Sequence, residues 1–211
     1  MARSRTTGGK TVASATRRLE DARARMYHDL VFESAEKVFG ERGFEHATMM
    51  DVAREAGVSL KTVYTSFAGK RELYEEIHEI RSQAFVTQIR QALKEAAGPV
   101  EQLGALAGAY ASFLLAHEAW LRITLSERVA WGLGPTTGLG ADAWRTSLGR
   151  IVEIIEAGMA QGVFHPGDAE TLAASCLALM QVQIARAVER GLDREKIAAE
   201  LETQLRRLLC R

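Results

Sequence analysis

The chain lacks most residues that would commit it to a specialised chemistry. Its only two cysteines, Cys176 and Cys210, lie far apart, too few for a disulfide framework and at no metal-ligand spacing. That usage points to a reducing cytoplasm. Neither charge sign dominates, with 27 Lys and Arg against 27 Asp and Glu, so net charge suggests neither a nucleic-acid partner nor a membrane surface. No segment reaches the roughly 18 consecutive apolar residues of a membrane span. The first residues carry charge with no apolar run behind it, which argues against a secretory signal. His28, His46, His78, His117 and His165 show no metal-ligand spacing, and no Ser or Cys sits in a nucleophile motif. Glu153 and Glu156, three apart, read as a solvated helix face. No metal, cofactor or catalytic activity is expected.

What is present is ordinary globular composition, 47% hydrophobic and 26% charged. Only three prolines and long strings of Ala, Leu, Glu and Arg predict an all-α protein. Charge is uneven along the chain: residues 1–70 hold 12 Lys/Arg against 9 Asp/Glu, a surplus of three. Residues 1–17, rich in Ser, Thr, Gly and Arg, read as a flexible basic arm. A first domain is expected over 18–70 and a second over 71–211.

Within 18–70 the spacing predicts three helices. Leu30, Val31, Ala35, Val38 and Phe39 recur at helical steps, and Gly43 stops that helix with Phe44 folding back on it. Thr48 and Asp51 have the layout of a capping box ahead of Val52, Ala53 and Ala56. Gly57 permits a tight turn, Val58 is its apolar residue, and Ser59 caps a short third helix with Val63 and Phe67 inward. Two helices joined this way are the layout that presses one helix into the major groove of DNA.

The segment from Val31 to Ile77 resembles the N-terminal domain of tetracycline-repressor-like (TetR family) transcription regulators. The resemblance rests on Ala35, Phe39, Gly43-Phe44, Thr48, Val52-Ala53, Ala56-Gly57-Val58-Ser59, Val63-Tyr64, Phe67 and Lys70. It implies an all-α homodimer with a helix-turn-helix head and a larger domain that binds a small effector. Its partners would be a double-stranded DNA operator and a second copy of the chain. The usual outcome in the family is repression, with release when the effector binds.

Residue chemistry assigns roles in the head. Lys61 is the one cation on the short recognition helix and is the candidate reader of guanine O6 and N7. Thr62, Thr65 and Ser66 are candidates for base edges or phosphate, and Lys70 for a second phosphate. Thr48 and Ser59 are either DNA contacts or caps only. The family implies that Tyr64 bonds a phosphate; alternatively it covers the core edge. Leu60 stands where the family is commonly polar or basic, and meets either a thymine methyl or a neighbouring helix. Arg17 and Arg18 are candidates for a narrow minor groove, or part of a solubilising leader.

Beyond Gly98 the helices are apolar. Tyr110, Phe113, His117, Trp120, Trp131, Trp144, Phe164 and Met180 either line an effector pocket or form core, and Gln181 and Gln183 are candidate polar contacts. Residues 131–141 read as a long loop. Leu172, Cys176, Leu179, Gln183 and Ala187, with Ile197, Leu201, Leu205 and Leu208, follow helical spacing on the last two helices. They form either a two-fold four-helix interface or packing within one subunit. The alternatives for the whole protein are a constitutive DNA binder without effector and a helical enzyme.

Overall fold

The computed structural model describes residues 7–126, 141–191 and 193–211. The elements are α1 (Thr7–His46), α2 (Met49–Ala56), α3 (Leu60–Ser66), α4 (Lys70–Lys94), α5 (Pro99–Ala116), α6 (Glu118–Ser126), α7 (Ala141–Ala160), α8 (Ala169–Arg190) and α9 (Arg194–Leu209). Among the described residues there is no strand; one isolated antiparallel bridge joins Phe164 to Cys210. The all-α expectation holds. The chain divides into two compact units between Tyr74 and Glu75, inside α4.

In the first unit α1 packs on α2 and α3. Val31, Phe32, Ala35, Val38 and Phe39 of α1 meet Val52 and Ala53 of α2 and Val63 of α3 in a core closed by Phe67 and Leu73. Leu30, expected inward, is exposed, and Phe32 is buried instead. Gly43 has φ +74°, open to glycine at little cost, and it breaks the helical path of α1. Phe44 then turns back to within 6.0 Å of the Phe39 ring and 4.5 Å of the Tyr74 ring. One difference lies at the start: α1 runs as a helix from Thr7, where a flexible arm is expected over 1–17. Ala, Arg, Leu and Glu dominate residues 15–25, and that helix propensity carries α1 backwards.

In the second unit α5 is the central helix, in contact with α6, α7, α8 and α9. Its buried residues, from Leu103 to Leu115, take up most of its circumference and leave one stripe through Glu101, Ser112 and Ala116 exposed. Small residues let α9 come close: a Cβ at Gly104 would lie 2.9 Å from Glu202 Oε1. α8 is the one described helix long and apolar enough to cross a membrane, and its Ala173, Cys176, Leu177, Met180 and Ile184 are buried inside the unit. Asp168 caps it through the Thr171 N–H at 2.8 Å, and Gly191 ends it at φ +61°. The chain end is tied down by His165 N–H donating to Leu209 O and Arg211 N–H to Val163 O.

Candidate nucleic-acid interface

The turn between α2 and α3 is built as its residues dictate. Gly57 adopts φ +65° and donates to the carbonyls of Ala53 and Arg54, while the Val58 N–H also bonds Ala53 O at 3.0 Å. Ser59 accepts from the Thr62 N–H at 3.1 Å, and the two hydroxyls meet at 2.8 Å. α3 is anchored from below by Val63 and by Phe67, whose ring lies 4.5 Å from that of His28 on α1. Fixing both ends leaves α3 one outward face.

Lys61, Tyr64 and Thr65 make up that face, with Tyr64 51% exposed; Leu60, Thr62 and Ser66 are half-buried at its flanks. Lys61 forms no ion pair among the described residues, so its ammonium is available to a base edge. The hydroxyl protons are already engaged: Thr65 Oγ1 donates to Lys61 O at 2.9 Å and Ser66 Oγ to Thr62 O at 3.4 Å. What remains outward is lone pairs, which suit the amino groups of adenine or cytosine better than acceptor-only phosphate.

Two expected phosphate contacts are otherwise occupied. Lys70 Nζ donates to Phe44 O at 2.7 Å, Ala47 O at 3.1 Å and Glu45 O at 3.4 Å, and sits 4.4 Å from the Phe44 ring. An ammonium has three donors, and these carbonyls at the end of α1 are left open by the Gly43 break. Lys70 is thus a clamp on the α1–α2 corner rather than a free phosphate grip. Thr48 likewise closes a full capping box: its hydroxyl accepts from Asp51 N–H and donates to Asp51 Oδ2 at 2.6 Å, and its own N–H bonds the same oxygen at 3.1 Å. Thr48 is a cap, and its hydroxyl has no proton to give a phosphate.

Sequence reading missed the cations beside this cap. Arg42 from α1 and Arg54 from α2 each donate to Asp51 Oδ1 at 3.1 Å, with their own side chains mostly exposed. The Thr48 hydroxyl, then its N–H and the two guanidiniums, holds the Asp51 carboxyl below the usual carboxylate range. The signal for this cluster was an arginine three residues after the capping aspartate, an ordinary helix pair. Arg17 and Arg18 lie exposed on α1, with Arg18 bonded to Ser14.

In the second unit the expected pocket residues are brought partly together. Phe113 stands 4.5 Å from the His117 ring and 5.8 Å from the Trp120 ring, and Phe85 of α4 joins Tyr110, Phe113 and Trp120. Phe85 is not among the pocket residues expected from the sequence. Burial raises the Tyr110 phenol well above its ordinary value. Met180 is fully buried and Trp144 half-buried; Trp131 and the loop before Ala141 lie outside the described residues.

The expected interface splits. Cys176, Ala187, Ile197, Leu201 and Leu205 are buried within the subunit itself, so they are its core and not a surface for a second copy. Desolvation pushes the Cys176 thiol up to about 12. α9 spends its apolar stripe on α5 and α8, which helical spacing alone does not reveal. Leu172, Leu179 and Gln183 are half-buried, with Gln183 bonded to Gln204 at 3.1 Å, and Leu208 is 40% exposed.

Comparison with known proteins agrees with the head. Residues 31–77 match the profile of bacterial regulatory proteins, tetR family. The HTH-type transcriptional regulator YhgD of Bacillus subtilis is 30% identical over 179 residues, 82% of this chain and 91% of that protein. The HTH-type transcriptional repressor KstR2 of Mycobacterium tuberculosis is 26% identical over 136 residues, 64% of this chain and 68% of that protein. The structure of the ketosteroid transcriptional regulator KstR2 superposes with a TM-score of 0.77 at 21% identity, covering 87% of this chain and 95% of that one. The fatty acid degradation regulator FadR of Bacillus halodurans gives 0.69 at 20% identity, covering 85% and 94%.

Proposed function

The chain belongs to the tetR family of bacterial regulatory proteins and is a DNA-binding transcriptional regulator, and on that premise we propose that it is a homodimeric repressor released by a small apolar effector. The observation that carries the DNA-reading part is the exposed row Lys61, Tyr64 and Thr65 on a helix held by buried Val63 and Phe67. Lys61 reads a guanine, Thr62, Thr65 and Ser66 accept from base amino groups, and Tyr64 meets the backbone. Few of these are bidentate readers, so DNA shape contributes to specificity.

A two-fold dimer formed by the outward faces of α8 and α9, through Leu172, Leu179, Val182 and Leu208, would present two recognition helices about 34 Å apart to a palindromic site. Effector binding in the second unit then has only to favour a subunit spacing that misfits the operator. An apolar effector suits the ring cluster around Phe113, and the KstR2 and FadR proteins are named for ketosteroid and fatty acid regulation. The protein would act in the cytoplasm.

Selection of bound sequences from random DNA tests this reading. A palindrome with half-sites one helical turn apart is expected, and weak binding without sequence preference would reduce the protein to an architectural DNA binder. The close ring packing of Phe85, Phe113 and Trp120 favours a second reading, a constitutive regulator with a filled core. Under that reading no ligand changes operator affinity.

A further inference from the structure

Trp120 on α6 is 7% exposed, its ring edge-on to Phe113 at 5.8 Å and 6.2 Å from Phe85. Its Nε1 is buried and donates to no acceptor among the described residues. Trp144 Nε1, on α7 of the same unit, is likewise buried without an acceptor among the described residues. Both α6 and α7 are joined to the central helix, α6 following α5 directly and α7 packing on it.

Buried polar groups in native proteins almost always find a partner, so these two indole N–H groups are open valences; the His78 Nε2 atom also makes no hydrogen bond among the described residues. An indole can only donate, which fixes what must arrive: an acceptor oxygen or nitrogen. The surroundings fix its charge. No Lys, Arg, Asp or Glu of the second unit is buried among the described residues. A carboxylate brought beside Trp120 would lose its hydration without a buried Lys or Arg to replace it. A quaternary ammonium finds ring faces there, but it has no acceptor and would leave the indole N–H unpaired. A neutral oxygen on an apolar body meets every condition.

We propose that the second unit binds a neutral, largely apolar ligand whose carbonyl oxygen accepts a hydrogen bond from Trp120 Nε1, with the rings of Phe85 and Phe113 against its body. This rests on the effector reading above and narrows it to a ketone, ester or amide. Free acids and ammonium compounds of the same skeleton are poor ligands. The His117 imidazole, 4.5 Å from the Phe113 ring, and the buried Tyr110 phenol beside Phe85 are polar groups of the same ring cluster, and the acid series below tests whether the imidazole acts as a counter-ion.

The test uses the full chain labelled with ¹⁵N, whose indole signals from Trp120, Trp131 and Trp144 are assigned by single Trp→Phe variants. Methyl ketones over a range of chain lengths are titrated beside the matching fatty acids and alkyltrimethylammonium salts, with affinities from calorimetry. The expected result is a downfield shift of the Trp120 N–H with a ketone, and ketone affinity roughly tenfold or more above the acid and the ammonium salt. Trp120→Phe should remove that preference while the fold, followed by circular dichroism, persists; if it does not fold, the wild-type indole shift alone decides. Tighter binding of the acids or the salts, or no indole shift with any ketone, overturns the proposal. The same samples are then offered the DNA selected above. Sequence-specific DNA binding without an indole shift sinks the ligand assignment and leaves the regulator standing. An indole shift in a protein that selects no DNA sequence supports the ligand and sinks the regulator reading instead.

Discussion

Lys70, the first residue of α4, donates its ammonium to Phe44 O at 2.7 Å and lies against the Phe44 ring at 4.4 Å. The pair joins the start of one helix to the broken end of another 26 residues earlier. Because α2 begins only three residues after His46, the same clamp sets where the helix-turn-helix starts.

Lys70→Met keeps the stem over Phe44 and removes the ammonium. The carbonyls of Phe44, Glu45 and Ala47 then lose their common donor, at a cost of about 1–3 kcal/mol to the stability of the chain. Urea unfolding measures it. DNA affinity should fall for all sequences, with the slope of log affinity against log salt unchanged. A slope smaller by about one would instead mean that Lys70 neutralises a phosphate.

Lys61→Ala should act differently. The Lys61 side chain is exposed and makes no ion pair among the described residues, so stability stays within about 0.5 kcal/mol of the parent. Specific binding weakens by about 1–3 kcal/mol, and preference relaxes at one base pair of each half-site. Binding measured across a panel of single-base operator variants checks both. A profile identical to the parent's removes Lys61 from the reading face.

Much of this was legible because it is local. Gly43, Thr48, Gly57 and Ser59 are set by bonds to residues within five positions, and their chemistry declares them. The Lys70 clamp was illegible because its partners lie 23 to 26 residues away and are backbone carbonyls, which every sequence has. Helical spacing showed that Leu201 and Leu205 would be buried, but not that α5 and α8 of the same chain would bury them. Periodicity names a face and leaves its partner open. The orphan indole of Trp120 belongs to the same class, since only packing reveals a donor with no acceptor.

The Asp51 cap predicts an acid response. Its folded carboxyl titrates below the unfolded value of about 3.9, so its contribution is present above that pH and is lost as pH falls through the lower, folded value. Asp51→Ala should therefore destabilise the chain at neutral pH, while the gap to the parent closes in strong acid. Thr48→Ala breaks the other half of the box and costs about 0.5–2 kcal/mol at neutral pH. Urea midpoints of both variants across an acid series check this; a gap for Asp51→Ala that is constant with pH would mean the carboxylate is not what the cap uses.

Gly158 on α7 faces Phe164, which is wholly buried in the turn before α8. A Cβ built on Gly158 would lie 2.0 Å from Phe164 Cδ2, closer than any packed side chain allows. The clash is with a ring locked on all sides, and the Phe164 N–H is itself bonded to Gly158 O, so neither partner has room to withdraw. Gly158→Ala should destabilise the chain by about 1–3 kcal/mol or more, although alanine is the better helix former. Phe164→Leu alone leaves a void and also costs stability. Combined, the two changes should interfere less than their sum, because leucine lacks the ring carbons that the new methyl meets. A double-mutant cycle in urea reads that coupling directly, and strict additivity would show that the methyl is accommodated elsewhere.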